Sequence, residues 1–205
     1  GKATVYGSFQ GFKSSMKSRV VITPMNEYLS NHGYRTLYVP PVMKGYLPWR
    51  VAGLDLVNPV SGLDYMKLRE CKDAFLKDIL SSDIDLSMLE VYDDFTTVNG
   101  CAGVTYIDKV NRKTSAGNPW KCTKKRFLRD IPPVAGNQDP VEFSKEIWDR
   151  ANQIIGKYIN KERAHPIFCA HLKDEAVTKK KAADGKTRVF TGAPLDFTLV
   201  VRNYL

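Results

Sequence analysis

The feature that most constrains the fold is a stripe in which Phe143, Ile147, Ala151, Ile154 and Tyr158 recur every three or four residues. That period belongs to one face of an α-helix and predicts a helix from Pro140 to about Lys161. Asp139 suits its N-cap. Pro140 suits the first helical position, where a missing N–H goes unnoticed. Beyond the helix, Ile167 to Leu172 and Thr187 to Thr191 read as two strands flanking a basic, glycine-containing connection. A long amphipathic helix beside short strands implies an α+β fold.

The rest of the chain is more irregular. Residues 1–18 are polar and rich in Gly, Ser and Lys, and are expected to be extended or flexible. Arg19 to Thr23 reads as a short strand of β-branched residues. Prolines at 40, 41, 48 and 59, with Gly45 and Gly53 between them, exclude one long helix over 37–59. That stretch is expected to be a strap held by Tyr38, Tyr46, Leu47 and Trp49. Residues 61–81 predict a helix capped by Ser61, with Leu68, Cys71, Phe75 and Ile79 on one face. A shorter helix is expected over Ser82 to Glu90, and another begins at Pro194. The chain ends at Leu205 inside that last apolar pattern, which predicts a truncated parent. The organisation expected is a flexible segment (1–18), a strap (19–60) and a larger body (61–205).

Hydrophobic residues make up 43% and charged residues 26%, an ordinary globular mix. The net charge of +9 fits either attraction to a polyanion or a basic but inert surface. Cys71, Cys101, Cys122 and Cys169 form no C-x-x-C pair, and no His pair has zinc spacing, so reduced thiols and a cytosolic compartment are expected. No signal peptide opens the chain and no apolar run reaches membrane length.

Two motifs carry chemistry. The first is Thr114-Ser115-Ala116-Gly117-Asn118-Pro119, between Arg112-Lys113 and a segment holding Trp120, Lys121, Lys124, Lys125 and Arg126. Small residues admit a backbone ligand closely. Hydroxyls and free backbone N–H groups can hold phosphate oxygens, and the flanking cations neutralise charge. Read alone, the hexapeptide is equally a Gly/Pro turn with lysines in solvent. The second motif, Lys173 to Arg188, gathers Lys173, Lys179, Lys180, Lys181, Lys186 and Arg188 between two strands. Such cations can converge on a triphosphate, whose transfer depends on positioning and charge neutralisation. Glu175 and Asp174 are candidates to pair with Arg188 or Lys186 and fix their aim. The bland alternative is a solvated charged hairpin.

The Thr-Ser-Ala-Gly-x-Pro element resembles the motif at which template RNA enters picornavirus-type RNA-dependent RNA polymerases. Lys-Asp-Glu, followed after ten residues by Lys-Thr-Arg, is similar to the motif lining their nucleotide tunnel. The two occur in the family's order, and the resemblance is closest over roughly residues 90–205. It implies the fingers portion of a right-hand polymerase, cut before the palm's catalytic motifs. Thr114, Ser115, Ala116 and Gly117 would line the template channel. Lys173, Lys181, Lys186 and Arg188 would bind the incoming nucleoside triphosphate, with Glu175 orienting Arg188. No catalytic or metal-binding residue is expected in this chain. The Mg²⁺ or Mn²⁺ ligands of the parent, an Asp-x4-5-Asp strand and a Gly-Asp-Asp turn, would follow Leu205, so the chain alone should not polymerise RNA. Implied partners are single-stranded RNA template and primer, nucleoside triphosphates and other viral replication proteins. The implied location is the host cytoplasm, at membrane-associated replication complexes. One departure stands out: Val177 occupies the place of an arginine found in enteroviral relatives, which points toward dicistrovirus- or marnavirus-like relatives.

Other features imitate sites. Tyr92-Asp93-Asp94-Phe95 resembles a Tyr-x-Asp-Asp signature but precedes both motifs, and is read as an acidic loop. Gly185-Lys186-Thr187 resembles the end of a P-loop, but Lys180 stands where the first glycine belongs. Cys169 and His171 lack a third orienting group for nucleophilic chemistry. Gln10-Gly11 matches the Gln/Gly junctions cut by picorna-like proteases, and equally arises by chance. The rivals to a polymerase are a non-enzymatic RNA-binding module of a viral polyprotein, which leaves the ordered motifs unexplained, and a basic capsid arm domain. The chain lacks the Arg-rich tail and regular strand spacing of the latter.

Overall fold

The computed structural model describes residues 17–57, 62–82, 85 and 90–204. In chain order the elements are α1 (Asn26–Asn31), β1 (Tyr38–Val39), α2 (Leu47–Val57), α3 (Tyr65–Leu80), α4 (Asp94–Asn99), β2 (Leu128–Asp130), β3 (Val141–Phe143), α5 (Lys145–Ile159), β4 (Cys169–Leu172), β5 (Val177–Thr178), α6 (Lys179–Ala183), β6 (Val189–Gly192) and α7 (Leu195–Asn203). The chain divides into two compact units, residues 1–83 with 170–190, and residues 84–169 with 191–205. The expected Ser61 cap, the Gln10-Gly11 junction and most of the 82–90 helix lie outside the described residues.

In the first unit, β1 pairs antiparallel with β5, Tyr38 opposite Thr178 and Val39 opposite Val177. This strap strand thus closes on the basic connection itself. Further bonds follow: Lys179 N–H donates to the Leu37 carbonyl at 3.0 Å, and the Thr187 hydroxyl donates to the Val42 carbonyl at 2.8 Å. Pro48 and Met43 are buried, whereas Tyr46 is 74% exposed. Arg19 to Thr23 is not a strand. Its β-branched residues find no ladder partner, and propensity without pairing does not make a strand. Helix α3 starts at Asp64, whose carboxylate accepts from Met66 N–H at 2.9 Å and Lys67 N–H at 3.3 Å. None of its residues is buried.

The second unit holds the core: Val98, Val110, Ala116, Phe127, Val141, Phe143, Ile147, Leu195 and Leu199. Ile147, Leu195 and Leu199 are fully enclosed where α5 packs on α7, and each such side chain contributes about 1.5–3 kcal/mol. The predicted long helix is shorter than expected. Residues 141–143 form β3, antiparallel to β2 with Leu128 opposite Phe143, and α5 begins after Ser144. Tertiary bonds override the local helix signal at Asp139-Pro140. The Asn99 side chain accepts from Val141 N–H and donates to the Val141 carbonyl, both at 2.9 Å, which fixes an extended backbone there. Of the predicted stripe, Ile147 and Ala151 are buried on α5, Phe143 is buried from β3, and Tyr158 stays 43% exposed.

Candidate nucleic-acid and nucleotide interface

The Thr114–Pro119 loop lies in the second unit, folded against the core. Ala116 is fully buried. Its N–H donates to the Cys122 carbonyl at 2.7 Å, and its carbonyl accepts from Leu195 N–H at 2.9 Å. Gly117 has φ +74°, and a Cβ there would come within 2.9 Å of Pro194 Cα and 3.0 Å of the Ala193 carbonyl oxygen. Glycine is thus required twice, by conformation and by space. The Gly117 N–H donates to Ser115 Oγ at 3.1 Å. The backbone N–H groups of Ala116 and Gly117 are therefore spent inside the loop, contrary to the expectation of a free backbone cradle.

The exposed cations Lys113, Lys121, Lys125 and Arg126 are what remain for a ligand. Thr114 and Ser115 are also exposed, but the Thr114 hydroxyl donates to the Asn111 carbonyl at 3.0 Å and the Ser115 hydroxyl to the Cys122 carbonyl at 3.3 Å. Two cations counted as flanking charge are instead structural. Arg112 is held by Asp139, donating to its carboxylate at 3.3 Å and its carbonyl at 2.7 Å. Lys124 turns inward, its ammonium donating to Thr114 Oγ1 at 2.7 Å and its backbone N–H to the Thr114 carbonyl at 3.0 Å. Burial, then the nearby Arg202 charge, lowers the Lys124 pKa from its ordinary value. Trp120 anchors the loop's far end: its indole N–H donates to Glu146 at 2.7 Å, and the Arg150 guanidinium lies 5.1 Å over its ring.

The Lys173–Arg188 segment lies in the first unit. Strands β4 and β6 pair, and Lys173 N–H donates to the Arg188 carbonyl at 2.8 Å. Glu175 grips Arg188 with both oxygens, Oε1 to Nε and Oε2 to Nη2, each at 3.1 Å. Its Oε2 also lies 3.4 Å from Lys173 Nζ. One carboxylate therefore holds two of the predicted triphosphate cations side by side while both stay partly in solvent. Asp174 pairs with neither cation. It accepts from the Ser18 hydroxyl at 2.6 Å and Arg19 N–H at 2.7 Å, and these bonds lower its pKa. Lys181 and Lys186 are exposed and joined through the backbone, Lys186 N–H to the Lys181 carbonyl at 2.8 Å. Val177 is buried opposite Val39, so an arginine there would have to displace the strap strand. Lys179 and Lys180 begin the exposed helix immediately after it.

The imitations resolve locally. Asp93 is the N-cap of α4, accepting from Thr96 N–H at 2.7 Å, so Tyr92–Phe95 is a helix start and not merely an acidic loop. These bonds lower the Asp93 pKa, whereas burial, then Asp93 itself, raises that of Asp94. The Thr187 hydroxyl is spent on the strap, which removes the last P-loop ligand. His171 stacks on Phe190 with ring centroids 5.5 Å apart. Sequence reasoning missed the role of residues 37–42 as a brace of the basic segment. The β-branched Val39 and Val177 were its only sequence signal.

Residues 60–205 match the model of the viral RNA-dependent RNA polymerase family. The chain belongs to that family. It is similar to the RNA1 polyprotein of cowpea mosaic virus (28% identical over 181 residues, covering 80% of this chain and 9% of the polyprotein). It is also similar to the genome polyprotein of Ljunganvirus 1, at 28% over 102 residues, covering 49% of this chain and 4% of that one. The replicase polyprotein of acute bee paralysis virus is 26% identical over 99 residues, 48% of this chain and 5% of the polyprotein. A solved Sicinivirus 3Dpol RNA-dependent RNA polymerase shares the fold with a TM-score of 0.64 at 15% identity, over 91% of this chain and 36% of that one. The chain thus spans about a third of that polymerase and less than a tenth of each polyprotein. The family implies divalent metal ions. Among the described residues no group of three His, Cys, Asp or Glu side chains can hold one, and Asp93 is committed to its helix cap. These residues do not fit a metal site.

Proposed function

We propose that this chain is the fingers-side part of a picorna-like RNA-directed RNA polymerase that replicates a positive-strand RNA genome. In this proposal, Thr114 to Gly117 border the path of the single-stranded template. Thr114 and Ser115 hold the exposed edge of the loop through their hydroxyl bonds to Asn111 and Cys122, Ala116 and Gly117 form the rigid floor, and exposed lysines steer the phosphates. Lys173, Lys181, Lys186 and Arg188 receive the nucleoside triphosphate. The Mg²⁺ or Mn²⁺ ions, the primer and the other viral replication proteins engage parts of the parent outside this chain, in the host cytoplasm at membrane-associated complexes.

The observation that carries the proposal is the Lys173–Glu175–Arg188 arrangement. A carboxylate fixes the direction of a guanidinium beside a second cation, on a strand pair braced by the strap. Aiming two cations before the ligand arrives reduces the ordering cost of binding a polyphosphate. Titration of the 205-residue protein with a nucleoside triphosphate tests it. Arg188→Ala and Lys173→Ala are expected to weaken binding at least tenfold with melting temperature unchanged. Wild-type affinity in both variants would remove the triphosphate assignment and leave an RNA-binding module.

A further inference from the structure

We infer that the cavity between α5 and residues 164–167 is a subsite for a phosphate of the RNA strand, next to the template loop. The inference rests on the RNA-binding role proposed above. The cavity, about 260 Å³, lies wholly within the second unit and is lined by Asn118, Arg150, Gln153, Lys157 and His165, among others. Asn118 belongs to the Thr114–Pro119 loop, so the cavity borders that loop.

Arg150 gives the site its direction. Its Nε donates at 2.9 Å to Asp196, a carboxylate only 3% exposed, and its Cζ lies 5.1 Å from the centre of the Trp120 ring. The second oxygen of Asp196 accepts from Phe197 N–H at 2.8 Å, so each oxygen of that carboxylate is engaged. The two terminal nitrogens of Arg150 make no hydrogen bond among the described residues, and the side chain is 44% exposed. A guanidinium held at Nε and set beside an aromatic ring, with its two terminal nitrogens open, is organised for a phosphate oxygen pair. Asp196 offsets the Arg150 charge. The net positive charge comes from Lys157, exposed two turns along the same helix, with Gln153 between them. On the opposite wall His165 holds φ +48°, unusual for a residue with a side chain, and such backbone concentrates at ligand sites. The charged donors of the lining, Arg150 and Lys157, are the groups that neutralise a phosphate. The chemistry therefore fits a backbone phosphate rather than a sequence-specific contact.

Fluorescence anisotropy of a single-stranded oligouridylate with the full chain, over a series of salt concentrations, tests this. Lys157→Ala is expected to weaken binding several-fold and to lower the log–log salt slope by about 0.7, the loss of one phosphate contact on single strands. Arg150→Gln is expected to act in the same direction, with its melting curve recorded because it also unpairs Asp196. Lys145→Ala, which removes an exposed lysine of α5 bound to Asp149, is expected to leave affinity near wild type. A parallel titration with a nucleoside triphosphate separates the two sources of phosphate. Loss for RNA alone supports the strand subsite, and loss for triphosphate alone overturns it. Wild-type RNA binding that responds to Lys113→Ala but not to Lys157→Ala overturns this inference and spares the template-loop role. No salt-dependent RNA binding by the wild type overturns both.

Discussion

Replacing Gly117 by alanine tests whether the template loop is rigid because it is pinned. Two costs are separable. With φ +74°, any side chain incurs about 1–2 kcal/mol from the left-handed backbone alone. The added Cβ also meets the backbone at 2.9 Å from Pro194 Cα and 3.0 Å from the Ala193 oxygen. Those atoms are fixed by the Leu195 N–H to Ala116 carbonyl bond and by the buried start of α7, so they yield little. Overpacking of this kind costs about 1–3 kcal/mol. The sum is about 2–5 kcal/mol, and at about 3 °C per kcal/mol for a chain of this size the melting temperature should fall by about 6–15 °C. Gly103→Ala isolates the first cost, because Gly103 has φ +80° with open space around its Cβ position. Thermal unfolding of the two variants, alongside oligouridylate binding, gives the comparison. Equal shifts in the two variants would refute the close-approach argument, whatever their size.

Two further outcomes follow from the structure. Val177→Arg, which supplies the arginine of enteroviral relatives, should lower stability by at least about 2 kcal/mol without raising triphosphate affinity, because residue 177 is buried against Val39. A urea titration with a triphosphate-binding assay checks both parts, and tighter binding at unchanged stability would refute it. Asp93→Ala should remove about 0.5–2 kcal/mol at neutral pH by uncapping α4. The Asp93 pKa is lowered in the folded state from its ordinary 3.8, so the cap's stabilisation is present above about pH 4 and fades as pH falls through the lower folded value. The wild-type and Asp93→Ala melting temperatures should therefore converge in acid, and a constant gap would count against the cap.

The sequence by itself determined the chemistry and the order of the two basic motifs. It also revealed the helical stripe around Ile147 and Ala151 and the strands flanking Lys173 to Arg188. These are local signals: a period of 3.6, β-branched runs, glycine and proline punctuation. The choice of Glu175 over Asp174 as partner of Arg188 needed the tertiary structure, since both carboxylates are equally close along the chain and only the packing of residues 18–19 engages Asp174. The start of α5 was decided the same way, by an Asn99 side chain far off in sequence that holds Val141 extended against a good helix-start signal. The division of the cations was likewise beyond the sequence. Arg112 and Lys124 read like their neighbours Lys113 and Lys125, but hydrogen bonds to Asp139 and Thr114 turn the first two inward. A hydrogen bond to a distant carbonyl leaves no trace in composition or spacing. Local pattern therefore fixed which groups are present, and packing fixed which of them face solvent.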